Sequence, residues 1–555
     1  MKVTRRDLLV WSAGATAGLL FTPVPWKLLD DVSIWSQNWP WIPQPTRGPV
    51  DVKLSFCTLC PNGCGMRVRM AGGWPVGVAG AGCHPVSRGA LCPLGFAAHQ
   101  LNWHPRRLSR VCYRRNTSSW GEARVAFTKA CGEGPIMIID GHPGRAASSA
   151  FETFVQRRGS YRVVPGQETR ALAPYGTWSG IPAAALGYDL ENAGTIVSFG
   201  APLLDGWGTP GRLTRLWAER AAGLADPQLH LIQVEPSFSR TAARAWQYVT
   251  IRAGGDGAVA EGVARVLLEE HLVPARGPMP SLTLVEVAEQ AGVSTDAIRD
   301  LARTIVARPP VVAVADDNNP AIAALNVVLG AVGARGGIVR RSKHIRQDVC
   351  AEAAIRGMRA VLIDSTVPWD FVPQTDAEVF RFAAWDGGST KADWLLPAPG
   401  FLEDLTDVPT APTSGMETYA VAPSLAEAPT EVQSAAQFLS SIDPTLVTVD
   451  KVIHTRCSEI FRQRMGTLWG QDVTPVAKFV SVQKLEEELW KGAVWIGEPH
   501  HAGGLRCQLN DWPEAIGPAR TSNASPPWLV PVLPSLASKL YQESGLRESP
   551  EGRSA

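Results

Sequence analysis

Half of the ten cysteines lie within the 36 residues from Cys57 to Cys92, and four of them make the spacing C-x2-C-x3-C-x27-C: Cys57, Cys60, Cys64 and Cys92. Four thiolates are what a [4Fe-4S] cubane requires, one for each iron. The first three are close enough to wrap a single loop around a cluster, and the fourth returns from a distance to close the cage. Structural zinc sites join two close pairs of Cys or His, and no second close pair follows here. Cys83, beside His84, is an alternative fourth ligand, but a small buried thiol is the simpler reading of it. Thioredoxin-type chemistry at Cys57 and Cys60 leaves Cys64 and Cys92 unexplained. Disulfide frameworks belong to short secreted chains that cannot build a core, which 555 residues can.

The elements that must hold such a loop are legible in part. Gly63 and Gly65 supply the backbone freedom a tight cluster loop demands. The glycine-rich run Gly77–Gly82 reads as a flexible loop. Further on, the apolar run Thr195–Phe199 followed by Gly200 reads as a short buried strand and a glycine turn, the place where doubly wound sheets bind ligands. Helical apolar spacing over Ala258–Glu270 and Val293–Ala307 alternates with strands, which predicts α/β layers. His104 reads as a capping or packing residue, and His500-His501 as a solvated loop pair.

The length implies several cores. Fifty-three basic against 52 acidic side chains leave a net charge of +1, which points away from a nucleic-acid partner. Thr4-Arg5-Arg6-Asp7-Leu8-Leu9 and the apolar stretch to Phe21 resemble a twin-arginine export signal, predicting the periplasmic face of the cytoplasmic membrane as location. The apolar stretch is shorter than the ~20 residues a spanning helix needs. Twenty tryptophans are many, and the run Ile34–Trp41 carries three of them, a composition suited to docking.

Beyond the cysteines, further segments resemble the molybdopterin oxidoreductase (dimethyl sulfoxide reductase) family. They are His104-Pro105-Arg106-Arg107-Leu108, Ser119-Trp120-Gly121-Glu122-Ala123 and Asp189–Pro202. The runs Leu229–Asp256, Leu325–Gly337 and Ala392–Pro397 continue the resemblance, which spans roughly residues 50–440. It implies an α/β multi-domain fold: a small N-terminal iron-sulfur domain followed by doubly wound α/β domains. The implied division is 1–25 signal or anchor, 48–105 [4Fe-4S] domain, 106–140 with 308–440 a discontinuous α/β domain, 141–307 a second α/β domain, and 441–555 a C-terminal extension. The family's C-terminal barrel is expected to be absent.

The sequence departs from the family where a molybdenum cofactor is held. Thr169-Arg170-Ala171-Leu172 puts Leu172 where catalytic members place a metal-binding side chain, and Leu94 stands where they place a Lys or Arg. Glu235-Pro236-Ser237 replaces Asp-Pro-Arg, and Trp246 replaces an expected Asp. The resemblance therefore implies a chain in which Cys57, Cys60, Cys64 and Cys92 hold a cluster while molybdopterin guanine dinucleotide is doubted, and no catalytic residue is assigned. It looks most like the molybdopterin-binding-like subunits of membrane quinone oxidoreductase complexes. That likeness implies three partners: a ferredoxin-like iron-sulfur subunit, a multihaem cytochrome c and an integral membrane quinone-binding subunit. A catalytic molybdenum or tungsten enzyme and a redox-silent scaffold are the two alternatives.

Overall fold

The computed structural model describes residues 3–21, 48–60, 62–104, 107–156, 158–163, 166–221, 228–341, 357–364, 376–385, 392–411, 413–497, 505–507 and 509–513. The tryptophan run Ile34–Trp41, Cys350, His500-His501 and the proline-rich stretch from Pro526 lie outside these residues.

Helix α1 (Arg5–Phe21) starts on a local cap: the Thr4 hydroxyl accepts from the Asp7 N–H while the Asp7 carboxylate accepts from the Thr4 N–H. Its side chains Leu8, Leu9, Val10, Trp11, Leu19 and Leu20 are exposed. No helix among the described residues is long and apolar enough to cross a membrane.

The cysteine region is an antiparallel three-stranded sheet of β1 (Val50–Phe56), β2 (Gly65–Ala71) and β3 (Trp74–Gly80), followed by the short helix α2 (Pro93–Ala97). The expected loop over Gly77–Gly82 is therefore corrected, because Gly77–Gly80 form the end of β3. The glycine there permits backbone contact: a Cβ on Gly80 would sit 2.0 Å from the carbonyl oxygen of Gly89.

Next comes a seven-stranded sheet assembled from two chain regions. These are β4 (Cys112–Tyr113), β5 (Asn116–Thr117), β6 (Ile136–Asp140) and β7 (Gly159–Val163), then β14 (Ala360–Asp364), β15 (Glu378–Ala383) and β16 (Trp394–Pro397). The order is β5-β4-β16-β15-β14-β6-β7, with the five strands from β16 to β7 parallel. The preceding α3 (Trp120–Glu133) opens with a capping box in which Ser119 and Glu122 satisfy each other's backbone N–H, and α4 (Ala146–Val155) is the crossover from β6 to β7. The core on this sheet is aromatic, with Phe127, Phe154, Phe380 and Phe382 fully buried.

Between the two regions lie an antiparallel pair, β8 (Leu186–Tyr188) with β13 (Ile338–Arg340), and an all-parallel sheet. The latter has the order β11 (Gln247–Thr250), β10 (His230–Glu235), β9 (Thr195–Phe199), β12 (Val311–Ala315). Every residue of β9 and β12 is buried, and the strands are apolar apart from Thr195 and Ser198 of β9. The helices Asp256–Glu269 and Thr295–Val306 cover this sheet, close to the helical spacing read from sequence. Strand β7 pairs with β6 although it lies past the boundary expected at 140, and β12 pairs with β9 although it lies past that at 307. A parallel strand needs its crossover helix, so each βαβ unit stays whole.

Finally β17 (Thr406–Val408), β18 (Thr418–Ala422), β19 (Thr467–Trp469), β20 (Val473–Pro475) and β21 (Val494–Ile496) make an antiparallel sheet in the order β17-β18-β21-β19-β20. Residues 449–497, expected as extension, thus contribute three strands and the helices Val449–Gln463 and Val482–Trp490. Among the described residues the sheet is open, with β17 and β20 as its edges, and closes no barrel.

Candidate metal centre and the sheet-edge crevices

Cys57, Cys60 and Cys64 are buried and Cys92 is half-buried; none is in a disulfide. The first three sit on the turn joining β1 to β2, which is closed by the Cys57 N–H donating to the Cys64 carbonyl at 2.8 Å. Gly63 has φ +59°, and a Cβ there would lie 2.1 Å from Cγ1 of Val408, so the turn is glycine both for its conformation and for the approach of β17. Gly65 serves close packing alone, against the ring of His84. That ring is buried, its Nδ1 faces the Ser87 N–H at 3.0 Å, and burial pushes its pKa down to about 4, leaving it neutral. Cys83, expected as a small buried thiol, is exposed. It is the neighbouring His84 that turns inward.

Cys92 is the N-cap of α2, and its sulfur accepts from the Gly95 N–H at 3.4 Å. The Gly211 N–H donates to Cys64, and a Cβ on Gly211 would meet that sulfur at 3.0 Å. Burial, with the neighbouring Cys64, pushes the Cys57 thiol well above its usual range; burial, with Cys92, pushes Cys64 up to about 12. The thiols are thus near enough to oppose one another's ionisation in a low-dielectric site that already offers N–H donors to sulfur. Such a set becomes thiolate only when a metal supplies positive charge, and it fits an iron-sulfur cluster. Among the described residues no three His, Cys, Asp or Glu side chains converge as a single metal ion would need. A cubane instead distributes its ligands over four irons.

Leu94 packs against the buried apolar group that includes Cys57, Leu59, Cys64 and Met66, so its surroundings are apolar. Leu172 is 1% exposed within the large core of the four-stranded sheet. Of its neighbours, Arg170 pairs bidentately with Asp317 at 2.8 and 2.5 Å, and Thr169 is buried.

Open α/β sheets bind ligands beyond the carboxyl ends of their strands, where the winding reverses. In the seven-stranded sheet that position lies at β6 and β14, where side chains of the chain pair with one another. Asp140 accepts from the hydroxyls of Ser148 (2.6 Å) and Tyr161 (2.8 Å) and from the His142 N–H (2.8 Å). Arg145 reaches Asp140 at 3.5 Å and hydrogen-bonds to Asp364. Burial alone would lower the Arg145 pKa, but the carboxylates of Asp364 and Asp140 more than reverse this and keep it charged. The N-terminus of α4 is capped by Asp407 of β17, which accepts from the Ala146 N–H at 2.6 Å.

In the four-stranded sheet the reversal lies at β9 and β12. Gly200, at φ +68°, makes the expected turn, with Asp256 and Asp316 as the nearest atoms to its face. Burial raises Asp256 to about 6 and Asp316 to about 7, assisted by Glu235 in the first case and by Asp317 and Asp256 in the second. Each leaves one carboxyl oxygen without a hydrogen-bond partner among the described residues. The basic group acting on Asp316 is Arg170, already paired with Asp317. Trp246, read from sequence as replacing a ligand-facing Asp, stacks on His230 at 4.2 Å instead. It lies at the amino end of β10, the opposite edge of the sheet, because it precedes β11 rather than following β10.

Sequence reasoning missed Gly211, Ser87 and the crevice carboxylates Asp140, Asp364 and Asp316. Thr209-Pro210-Gly211 carried a visible helix-start signal, but nothing local shows that this start abuts a cysteine 147 positions earlier.

Residues 51–102 match the molybdopterin oxidoreductase Fe4S4 domain. The chain is 30% identical over 478 residues to the menaquinone reductase molybdopterin-binding-like subunit of Nitratidesulfovibrio vulgaris, covering 76% of this chain and 69% of that one. It is 28% identical over 258 residues to the major subunit of the nitrate-inducible formate dehydrogenase of Escherichia coli, covering 40% of this chain and 25% of the enzyme. Acetylene hydratase from Pelobacter acetylenicus superposes with a TM-score of 0.56 at 14% identity, over 70% of this chain and 68% of that one, which shows the shared fold. A cluster-type cysteine loop, two doubly wound sheets and this relatedness along most of its length make the chain a member of the molybdopterin oxidoreductase family.

Proposed function

We propose that the chain is a molybdenum-free iron-sulfur subunit of a membrane-bound quinone oxidoreductase complex, and that Cys57, Cys60, Cys64 and Cys92 bind its [4Fe-4S] cluster. The observation that carries this reading is the pairing of a thiol-lined, N–H-lined loop with crevices whose described cations Arg145, Arg170, Arg341 and Arg456 are already engaged by carboxylates or carbonyls. A bound cluster supplies one-electron transfer. The protein's part is to bury the thiols, donate N–H groups to Cys64 and Cys92, and keep the neighbouring Leu94 position apolar.

A pyrophosphate-bearing pterin dinucleotide needs cations and N–H donors. One crevice offers the carboxylates Asp256, Asp316 and Glu235, and the other offers the closed Asp140–Arg145–Asp364 set, with the helix cap taken by Asp407. Leu172 in the core supplies no metal ligand. The exposed apolar α1 behind Arg5-Arg6 supports twin-arginine export to the periplasmic face of the membrane, with the folded body reaching the bilayer through partners. The relative's name supports a menaquinone-linked complex, and the proposed partners remain a ferredoxin-like subunit, a multihaem cytochrome c and a quinone-binding membrane subunit.

The test is elemental analysis of the protein purified with its partners from native membranes. About four irons for this chain, with no molybdenum or tungsten, are expected; stoichiometric molybdenum or tungsten would make it a catalytic subunit. Potentiometric electron paramagnetic resonance then separates an electron carrier from a redox-silent scaffold.

A further inference from the structure

An open groove of about 970 Å³ runs between β1 of the cluster domain and the C-terminal sheet and helix Val482–Trp490. We propose that this groove docks an extended acidic segment of a second polypeptide. Four lysines line it, Lys53, Lys478, Lys484 and Lys491, against two carboxylates, Asp472 and Glu488. Lys484 and Lys491 are engaged only in exposed pairs with Glu487 and Glu488, which hold them weakly. Apolar surface is interleaved with the charge: Val480 is 85% exposed and Trp490 lies at the lip. Both flanking strands are sheet edges, β1 in its three-stranded sheet and β20 in its five-stranded one. An edge strand with an exposed face invites an added strand, and the lysines select an acidic one.

The chain's two longest remaining segments do not match this charge. Residues 22–47 carry Asp30 and Asp31 against Lys27 and Arg47. Residues 514–555 carry Glu514, Glu543, Glu548 and Glu551 against Arg520, Lys539, Arg547 and Arg553, so each is balanced. A flat lipid surface fits poorly, because the lysines line a concavity formed by two domains. The inference rests on the subunit reading only in requiring a second polypeptide. Iron content does not depend on it, so the two fail separately.

The experiment compares lysine acetylation, followed by mass spectrometry, in the intact complex and in the isolated chain, together with carbodiimide crosslinking of the complex. Protection of Lys478, Lys484 and Lys491 in the complex, with zero-length crosslinks from them to one Asp- or Glu-rich segment of another subunit, is expected. Equal acetylation in both states overturns the proposal, and crosslinks confined to residues 22–47 or 514–555 overturn it by making the occupant the chain itself. The double variant K484E/K491E changes two exposed side chains. It should lose about tenfold or more in association with the partner subunits while keeping its iron and its unfolding midpoint. Undiminished association, or loss only of binding to phosphatidylglycerol vesicles, overturns the proposal.

Discussion

The cysteine loop and the two sheet-edge crevices treat charge in opposite ways. In the loop, buried thiols oppose one another's ionisation, and the protein brings N–H groups rather than cations to them. That site is incomplete without a metal. At the seven-stranded sheet the carboxylates Asp140 and Asp364 are met by Arg145, and at the four-stranded sheet burial favours the protonated forms of Asp256 and Asp316, raising them to about 6 and about 7. The first set is satisfied from within, whereas Asp256 and Asp316 each keep one carboxyl oxygen without a partner among the described residues.

The sharpest way to break this contrast is Cys60→Ser, which removes a ligand from the open site. Iron should fall from about four per chain toward none, with loss of the cluster's visible absorbance and paramagnetic signal. Retention of a full complement would move the fourth ligand elsewhere. In the closed site, Arg145→Leu leaves Asp140 and Asp364 buried and uncompensated, which should cost about 3–5 kcal/mol in urea unfolding while iron content stays constant. A cost below about 1 kcal/mol would mean that water already neutralises the pair.

The acid pair of the four-stranded sheet predicts a pH dependence. Unfolded aspartates titrate near ~4, so the folded state holds protons that the unfolded state releases. The resulting stabilisation is full below about pH 4 and is lost as pH rises through about 6 for Asp256 and about 7 for Asp316. His84 acts in the opposite sense, since its folded value near 4 lies below the ordinary ~6.5. Its contribution grows up to pH ~6.5 and is then level. Between pH ~6.5 and ~8 the decline belongs to the acids alone, and Asp316→Asn should flatten it, raising stability at pH ~8 by about 1–3 kcal/mol. An unchanged slope in that variant would show that Asp316 is already ionised at neutral pH. The smallest effect should come from Leu94→Lys, which places a cation beside the cluster and favours its reduced form. A potential shifted upward with iron unchanged is expected, and no shift would show the lysine folded away to solvent.

Much of the open site was legible in the sequence. Cysteine spacing marks the loop that gathers three buried thiols, and Gly63 adopts the left-handed turn expected of it. The buried strand Thr195–Phe199 and its glycine turn were equally plain, because a short run of β-branched and apolar residues with a following glycine has few other uses. Strands β6 and β14 of the closed crevice were not legible as neighbours, since they lie more than two hundred residues apart in sequence and meet only through the sheet. Gly77–Gly80 misled for a related reason: glycine in a strand marks the close approach of another backbone, and that backbone, at Gly89, is fixed by the turn beyond.

The sequence by itself determined what is local: the four cysteines and their spacing, the capping box that starts α3, the α/β alternation and the exposed apolar start behind two arginines. The tertiary structure alone decided which side chains share a buried space. It set Gly211 against Cys64, Arg145 between Asp140 and Asp364, and Trp246 at the far edge from the crevice it was expected to face. The physical reason is range. Dihedral preference and ligand spacing act over a few residues, whereas desolvation and charge pairing depend on distance through space, which only the packed fold defines.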